Sequence, residues 1–486
     1  MRFATCVREA DTFVGSGSER DETVQVLSGD NDDGVRGWKK DLGEPSLPES
    51  YASISVPPLN APVWKKLLAF SGMGLLISVG YMDPGNWATD IAGGAKFGYT
   101  LLSVVMLSSL VAMFLQHMAL KLGVATNRDL AQCCRDAYWH PVNIALWILA
   151  EIGIAACDMA EVIGSAVAIR LLSAGSIPLW ACVLITGVDV ALVIIFELRS
   201  FRILEVFIGL LIFSIFGCFV YEMAVSSPNW KDVAWGLVPQ PMILTNYDML
   251  FVAIGIMGAT VMPHNLYLHS SIVQTRNFPR TTAGRKFAIK YGTIDSSISL
   301  AFAFFINAAI LILAGATFHY SADAELRNVA DISDAYQLLS PTLGASAAST
   351  IFAVALLLAG LNATVTATLA GQVVMEGFLR LKLKPWIRRL ITRGLALAPA
   401  LVVAAVMGDR AVGKLLLVSQ VVLSLQLSFA VVPLVHFTSC KKFMGKLVNS
   451  WLMASLAGMV ALVIAGLNMY LLVSVFINPT SFSQDD

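Results

Sequence analysis

The chain has 486 residues, of which 57% are hydrophobic and only 14% charged, whereas an ordinary soluble domain carries roughly 25% charged residues. Mean hydropathy is +0.71, and 33 Lys and Arg balance 33 Asp and Glu. A soluble enzyme, a disordered scaffold and a nucleic-acid binder are thereby excluded, and an all-α integral membrane protein remains.

Residues 1–64 hold 6 basic and 11 acidic side chains and are rich in Gly and Ser. They read as a disordered acidic tail. Met1 to Ser50 contains no apolar stretch of the length a secretory signal needs. The seven cysteines, at 6, 133, 134, 157, 182, 218 and 440, form no CxxC pair and read as packing residues.

A hydrocarbon core about 30 Å thick takes about 20 apolar residues per helix. In chain order the spans fall near 67–97, 100–123, 142–171, 178–198 and 203–224, then 247–275, 289–318, 346–379, 387–408, 411–437 and 447–475. Eleven helices put the termini on opposite sides. With the N-terminus in the cytoplasm, the inner segments beyond the tail carry 21 Lys and Arg. The outer ones carry six: Lys96, Arg170, Lys231, Arg327, Arg410 and Lys414. The positive-inside rule therefore sets the N-terminus inside and the C-terminus outside.

Two spans are interrupted. The first contains Asp83-Pro84-Gly85-Asn86 and the sixth contains Gly258-Ala259-Thr260-Val261-Met262-Pro263. Proline frees backbone groups at bilayer depth, which is tolerated only where they line a cavity or coordinate something. Each break opens a five-helix half, and the second half starts from the opposite side. Matched discontinuous helices in inverted repeats point to the central site of a transporter. The domain plan is thus a tail (1–64), a first repeat (65–224), a second repeat (225–437) and an eleventh helix with a short external C-terminus (438–486).

Asp83 offers a carboxylate and Asn86 an amide oxygen. Met262 offers a thioether, and the unwound turns offer the carbonyls of Gly80 and Ala259. Hard ions such as Mg²⁺ and Ca²⁺ prefer oxygen alone, whereas a thioether suits softer divalent transition metals. The third span carries Glu151, Asp158 and Glu161 within about 80° of arc on one helix face. Carboxylates inside a membrane helix mark an ion or proton pathway or a set of buried ion pairs, and Arg393, with Arg389 second, is a candidate partner. His264 follows Met262 and titrates near neutrality, so it can pass a proton onward or serve as a hydrogen-bonding core residue. His117 and His269 read as core residues. Asp90 reads as facing an outer vestibule or capping a neighbouring helix, and Asp295 and Asn307 as lining the outer path. Asp189 and Glu376 receive no chemistry.

The stretches VGYMDPGNWATDIAGGAKFGYTLL (79–102) and GATVMPHNLYLHS (258–270) closely resemble the NRAMP family of proton-coupled divalent-metal transporters. The resemblance is strongest to the bacterial manganese-transporting branch and extends over about 65–475, through TNRDLAQ, CDMAEVIGSA, GQVVMEGF and SQVVLSLQL. It implies a LeuT-type fold, two inverted five-helix repeats plus an eleventh helix, in a bacterial plasma membrane and functional as a monomer. The family's metal ligands fall on Asp83, Asn86, Met262 and the Ala259 carbonyl, and Gln420 matches the residue that approaches the occluded ion. The positions of Asp158 and Glu161, with the arginine beside them, match the family's proton route. The implied substrates are Mn²⁺, Fe²⁺, Co²⁺ or Cd²⁺ with protons as the coupling ion, and no resident cofactor. Two positions depart from the family pattern: Met73 and Ser428 stand where proline is usual. The competing expectation is a symporter of the same fold for a small organic substrate such as an amino acid. A channel lacks its repeated filter loops here, and a membrane enzyme its catalytic motifs.

Overall fold

The computed structural model describes residues 45–187, 201–321, 332–343, 347–380, 385–406 and 410–477. Among these, eight helices are long and apolar enough to cross a membrane, and a bent pair at the start of the chain makes a ninth. The fourth span is described only over Leu179–Thr186. The ninth, Pro385–Val406, keeps its helix although arginines lower its hydropathy. The described residues thus form a multi-pass bundle of membrane-crossing helices.

The first span is more broken than its sequence suggests. Val63–Phe70 meets Met73–Tyr81 at 41°, around Gly72, whose φ of 103° lies in the region that favours glycine. Met73 begins the next piece and is fully buried. After a 3-10 turn at Val79–Tyr81, the helix restarts at Pro84 and runs to Phe97. The sixth span is Tyr247–Thr260 followed by Pro263–Ile272. In both cases proline is the first residue of the new helix, where its missing N–H costs nothing.

The unbroken frame around these pieces is led by the third span (His140–Leu172) packed along the eighth (Ala348–Leu379), with the tenth (Arg410–Ser439) also against the third. Gly164 of the third span faces Pro84 so closely that a Cβ there would collide with the proline ring. This close approach brings the acidic face of the third span against the first break.

The tail expected over 1–64 needs correction over its last part; residues 1–44 lie outside the described residues. From 45 to 62 the chain forms a strap that reaches Asp129, after the second span, and residues 276–277, after the sixth. Ser46 and Leu47 are buried, and Ser46 Oγ donates to Asp129 Oδ2 at 2.5 Å. β1 (Ile54–Ser55) pairs in parallel with β2 (Arg276–Asn277) just past the sixth span. Arg276 is itself buried. It pairs with Glu205 at 2.6 Å and donates to the carbonyls of Ala69, Phe70 and Ser71, so the bend at Gly72 is held by a charge from just past the sixth span.

Candidate metal centre

At the first break Asp83 serves as the helix N-cap, a position that favours a short side-chain acceptor. Its Oδ1 accepts from the Asn86 backbone N–H at 3.0 Å and from Asn86 Nδ2 at 2.5 Å. The same Nδ2 donates to the Ala259 carbonyl of the sixth span at 3.1 Å. Asp83 is fully buried and its Oδ2 has no partner. One amide nitrogen thus bridges two oxygens from different helices, the position a small cation would take. Turning that amide over would add a third oxygen facing the same point.

At the sixth break Val261 and Met262 leave helical geometry, and Met262 caps the next helix with no side-chain hydrogen bond. Its side chain is fully buried and packs with Cys157 and Leu423. Gly80 lies in the 3-10 turn, and the Asn265 amide occupies the space a Cβ at Gly80 would need. Gln420 of the tenth span lies over Gly85: a Cβ on Gly85 would sit 2.5 Å from Gln420 Cδ and 3.0 Å from Asp83 Oδ2. Gln420 Nε2 donates to Ser419 Oγ at 3.2 Å, and its Oε1 is buried without a partner. Among the described residues no three His, Cys, Asp or Glu side chains gather as a metal cage. The donors here are of mixed kind: a carboxylate, amides, a thioether and carbonyls.

The three acids of the third span separate in the structure. Asp158 forms a buried ion pair with Arg393 of the ninth span, which also reaches the Thr186 carbonyl at 3.4 Å. Glu161 is buried and accepts from Cys157 Sγ at 3.4 Å, while its Oε2 has no partner. Glu151 is only half-buried and accepts from Trp147 Nε1 at 3.0 Å, two turns before Asp158. Of His264, Nε2 lies 3.9 Å from Cys157 Sγ and Nδ1 is buried without a partner. Cys157 therefore touches Met262, His264 and Glu161 together, joining the break to the acidic face. Cys157 reads as packing from its apolar run, and the spacing of four residues to Glu161 on one helix face is the signal for its polar contact. The Arg389 side chain lies outside the described residues.

Several of the other polar groups singled out in the sequence are tied into the helix frame. His117 bonds to Thr293 at 2.8 Å, and His269 to Gln116 at 2.9 Å, which in turn donates to Tyr81. Asn307 donates to the Tyr81 carbonyl at 2.8 Å and Asp295 accepts from the Gly74 N–H at 2.6 Å, so both brace the first span. Asp90, expected at a vestibule or a cap, is buried with Oδ2 unpartnered. Glu376 accepts from Gln372, and Asp189 lies outside the described residues. Ser428 is held by Asn468 of the eleventh span at 3.0 Å.

The family model described as natural resistance-associated macrophage protein-like, Nramp, matches residues 74–474. A divalent metal cation transporter, MntH, of Nostoc sp. is 55% identical over 88% of this chain and 96% of its own. A manganese transporter of Eremococcus coleocola, seen in a crystal structure, superposes with a TM-score of 0.83 at 38% identity, covering 92% of this chain and 93% of its own. A nucleobase-cation-symport-1 family transporter in a closed conformation superposes with a TM-score of 0.56 at 12% identity, over 84% of this chain and 93% of its own, a likeness of fold alone.

Proposed function

This chain belongs to the Nramp family, and from that premise we propose that it imports divalent transition metals, Mn²⁺ foremost, coupled to inward proton movement. It is a transporter and not an enzyme. The observation that carries the reading is the buried Asn86 amide donating to both Asp83 and the Ala259 carbonyl. A dication between these oxygens would replace that donor and relieve the unpaired Asp83 Oδ2. Buried polar groups left unsatisfied are costly, so a cargo that completes them binds strongly.

The ion would bind Asp83, Asn86, Met262 and the Ala259 carbonyl, with Gly80 and Gln420 closing around it. Met262 supplies the soft donor that admits Mn²⁺, Fe²⁺, Co²⁺ or Cd²⁺ over Ca²⁺ and Mg²⁺. A proton and a dication compete for the Asp83 carboxylate, which couples the two. From Asp83 the proton would pass His264, Glu161 and Asp158, with Arg393 setting the charge of the relay and Glu151 at its cytoplasmic end. The broken spans would rock against the third, fourth, eighth and ninth, in the bacterial plasma membrane, as a monomer with the N-terminus cytoplasmic and the C-terminus external. Lipid is the only other partner proposed.

The test is Mn²⁺ uptake into proteoliposomes holding an internal pH dye, comparing the parent with Met262→Ala. Metal-dependent acidification in the parent, with weaker rejection of Ca²⁺ by Met262→Ala, is expected. Uptake without acidification overturns the coupling, and no uptake overturns the metal reading.

A further inference from the structure

The eleventh span, Trp451–Ile477, stands outside the two repeats and is largely exposed and apolar. One of its polar residues is turned inward. Asn468 is 5% exposed and makes three bonds to the tenth span. Ser424 Oγ donates to Asn468 Oδ1 at 2.5 Å, and Asn468 Nδ2 donates to the Ser424 carbonyl at 2.6 Å and to Ser428 Oγ at 3.0 Å. An amide facing a lipid-bathed helix interface is costly unless bonded, so this clasp fixes which face of the tenth span meets the eleventh.

The same face of the tenth span carries Gln420 one turn before the clasp. Gln420 and Ser424 are one turn apart and share a helix face. A Cβ on Gly258 would sit 2.6 Å from Ser424 Cβ and 3.4 Å from the Gln420 carbonyl, so the tenth span crosses the sixth in direct contact one residue before Ala259. A cavity of about 70 Å3, lined by Thr89, Ala92, Gly255, Gln420 and Ser424, adjoins this crossing. Open space beside the crossing leaves the set of the tenth span to its bonded neighbours, and the Asn468 bonds to Ser424 and Ser428 fix it there.

We propose that Asn468 is a positioning residue for ion occlusion: through Ser424 and Ser428 it holds the tenth span so that Gln420 closes over Gly85. The proposal rests on the reading of Gln420 as the residue that closes over the cargo. It does not place Asn468 in contact with the ion.

The experiment measures initial Mn²⁺ uptake by the full chain in proteoliposomes for Asn468→Leu, Gln420→Ala and the double variant. Loss of three interhelical bonds is expected to lower the maximal rate roughly five- to tenfold with little change in KM. The double variant should be no slower than Gln420→Ala alone, because both changes disable the same closure. Ser428→Ala, which removes one bond and is milder on folding, should fall between parent and Asn468→Leu. Rates that multiply in the double variant, or parental rates for Asn468→Leu and Ser428→Ala, overturn the clasp while leaving the metal site intact. A parental rate for Gln420→Ala overturns the reading of the site beneath it.

Discussion

The two breaks use one backbone device and fill it differently. At the first, Asp83 caps its own helix and Asn86 returns a bond to it, so the turn is closed by groups three residues apart. At the sixth, Met262 takes the N-cap position without a side-chain bond, and the Ala259 carbonyl is met by an amide from the first span. The first break is therefore held by local bonds and brings the charge. The second is completed across the gap and brings a carbonyl and sulfur. Proline makes both openings, while the side chains beside each decide what the opening can do.

The sharpest way to break this contrast is to remove the charge while keeping the cap. Asp83→Asn leaves a good N-cap acceptor, so thermal stability in detergent should stay close to the parent. Mn²⁺ uptake should fall by more than roughly a hundredfold, because the proposed site would lose the carboxylate placed in it. Asp83→Ala should lose both stability and uptake. Parental uptake by Asp83→Asn would falsify the assignment of the charge to this break.

A second change acts on the space between the breaks. Gly85→Ala drives a methyl group into Gln420 Cδ and Asp83 Oδ2. Overpacking of this kind costs about 1–3 kcal/mol, so uptake should drop roughly tenfold. Trimming the obstacle in the double variant Gly85→Ala with Gln420→Ala should relieve the clash and bring uptake back to the level of Gln420→Ala alone. A double variant slower than either single one would mean that the methyl group acts on Asp83 and not on Gln420.

Legibility in the sequence follows the range of the interaction. The DPGN and MPH breaks are visible because proline acts on its own turn, and the spans because apolar runs need no partner. Arg393 was visible as a charge needing a counter-charge, and the structure pairs it with Asp158. Cys157 was legible only in its spacing to Glu161, and Asn468 not at all: each is a small polar residue in an apolar helix whose further partner lies 107 or 44 residues away. The strap at 45–62 was lost for a related reason, since two residue pairs of parallel strand leave no periodic pattern to read.

Between the breaks and the acidic face stands Cys157, and it carries the third prediction. A thiol is a weak donor, and its bonds are worth less than about 1 kcal/mol. Cys157→Ala should therefore change Mn²⁺ uptake by less than about threefold while lowering the acidification seen per Mn²⁺ carried, with Cys157→Ser keeping the parental ratio. An unchanged ratio in Cys157→Ala would confine the thiol to packing.

The smallest effect belongs to a second aspartate with the same local grammar as Asp83. Asp129 also caps a helix and also accepts from the backbone three residues on, at Gln132, but it lies in the loop between the second and third spans. Its spare oxygen is met by Ser46, whereas that of Asp83 is open. Burial holds the Asp129 carboxyl up to about 6, against the opposing pull of Ser46, the backbone N–H groups and Arg135. A folded value above the unfolded 3.8 means that the ionised group costs stability. That cost is complete above about pH 6 and is relieved as pH falls toward the unfolded value. Melting temperature in detergent should thus rise by about one to a few degrees from pH 7 to pH 5 through this group. Asp129→Asn should remove that contribution and leave Mn²⁺ uptake near parental. A cap whose oxygens are all satisfied by the protein has nothing left to offer a cation, and this variant isolates that condition from the cap itself.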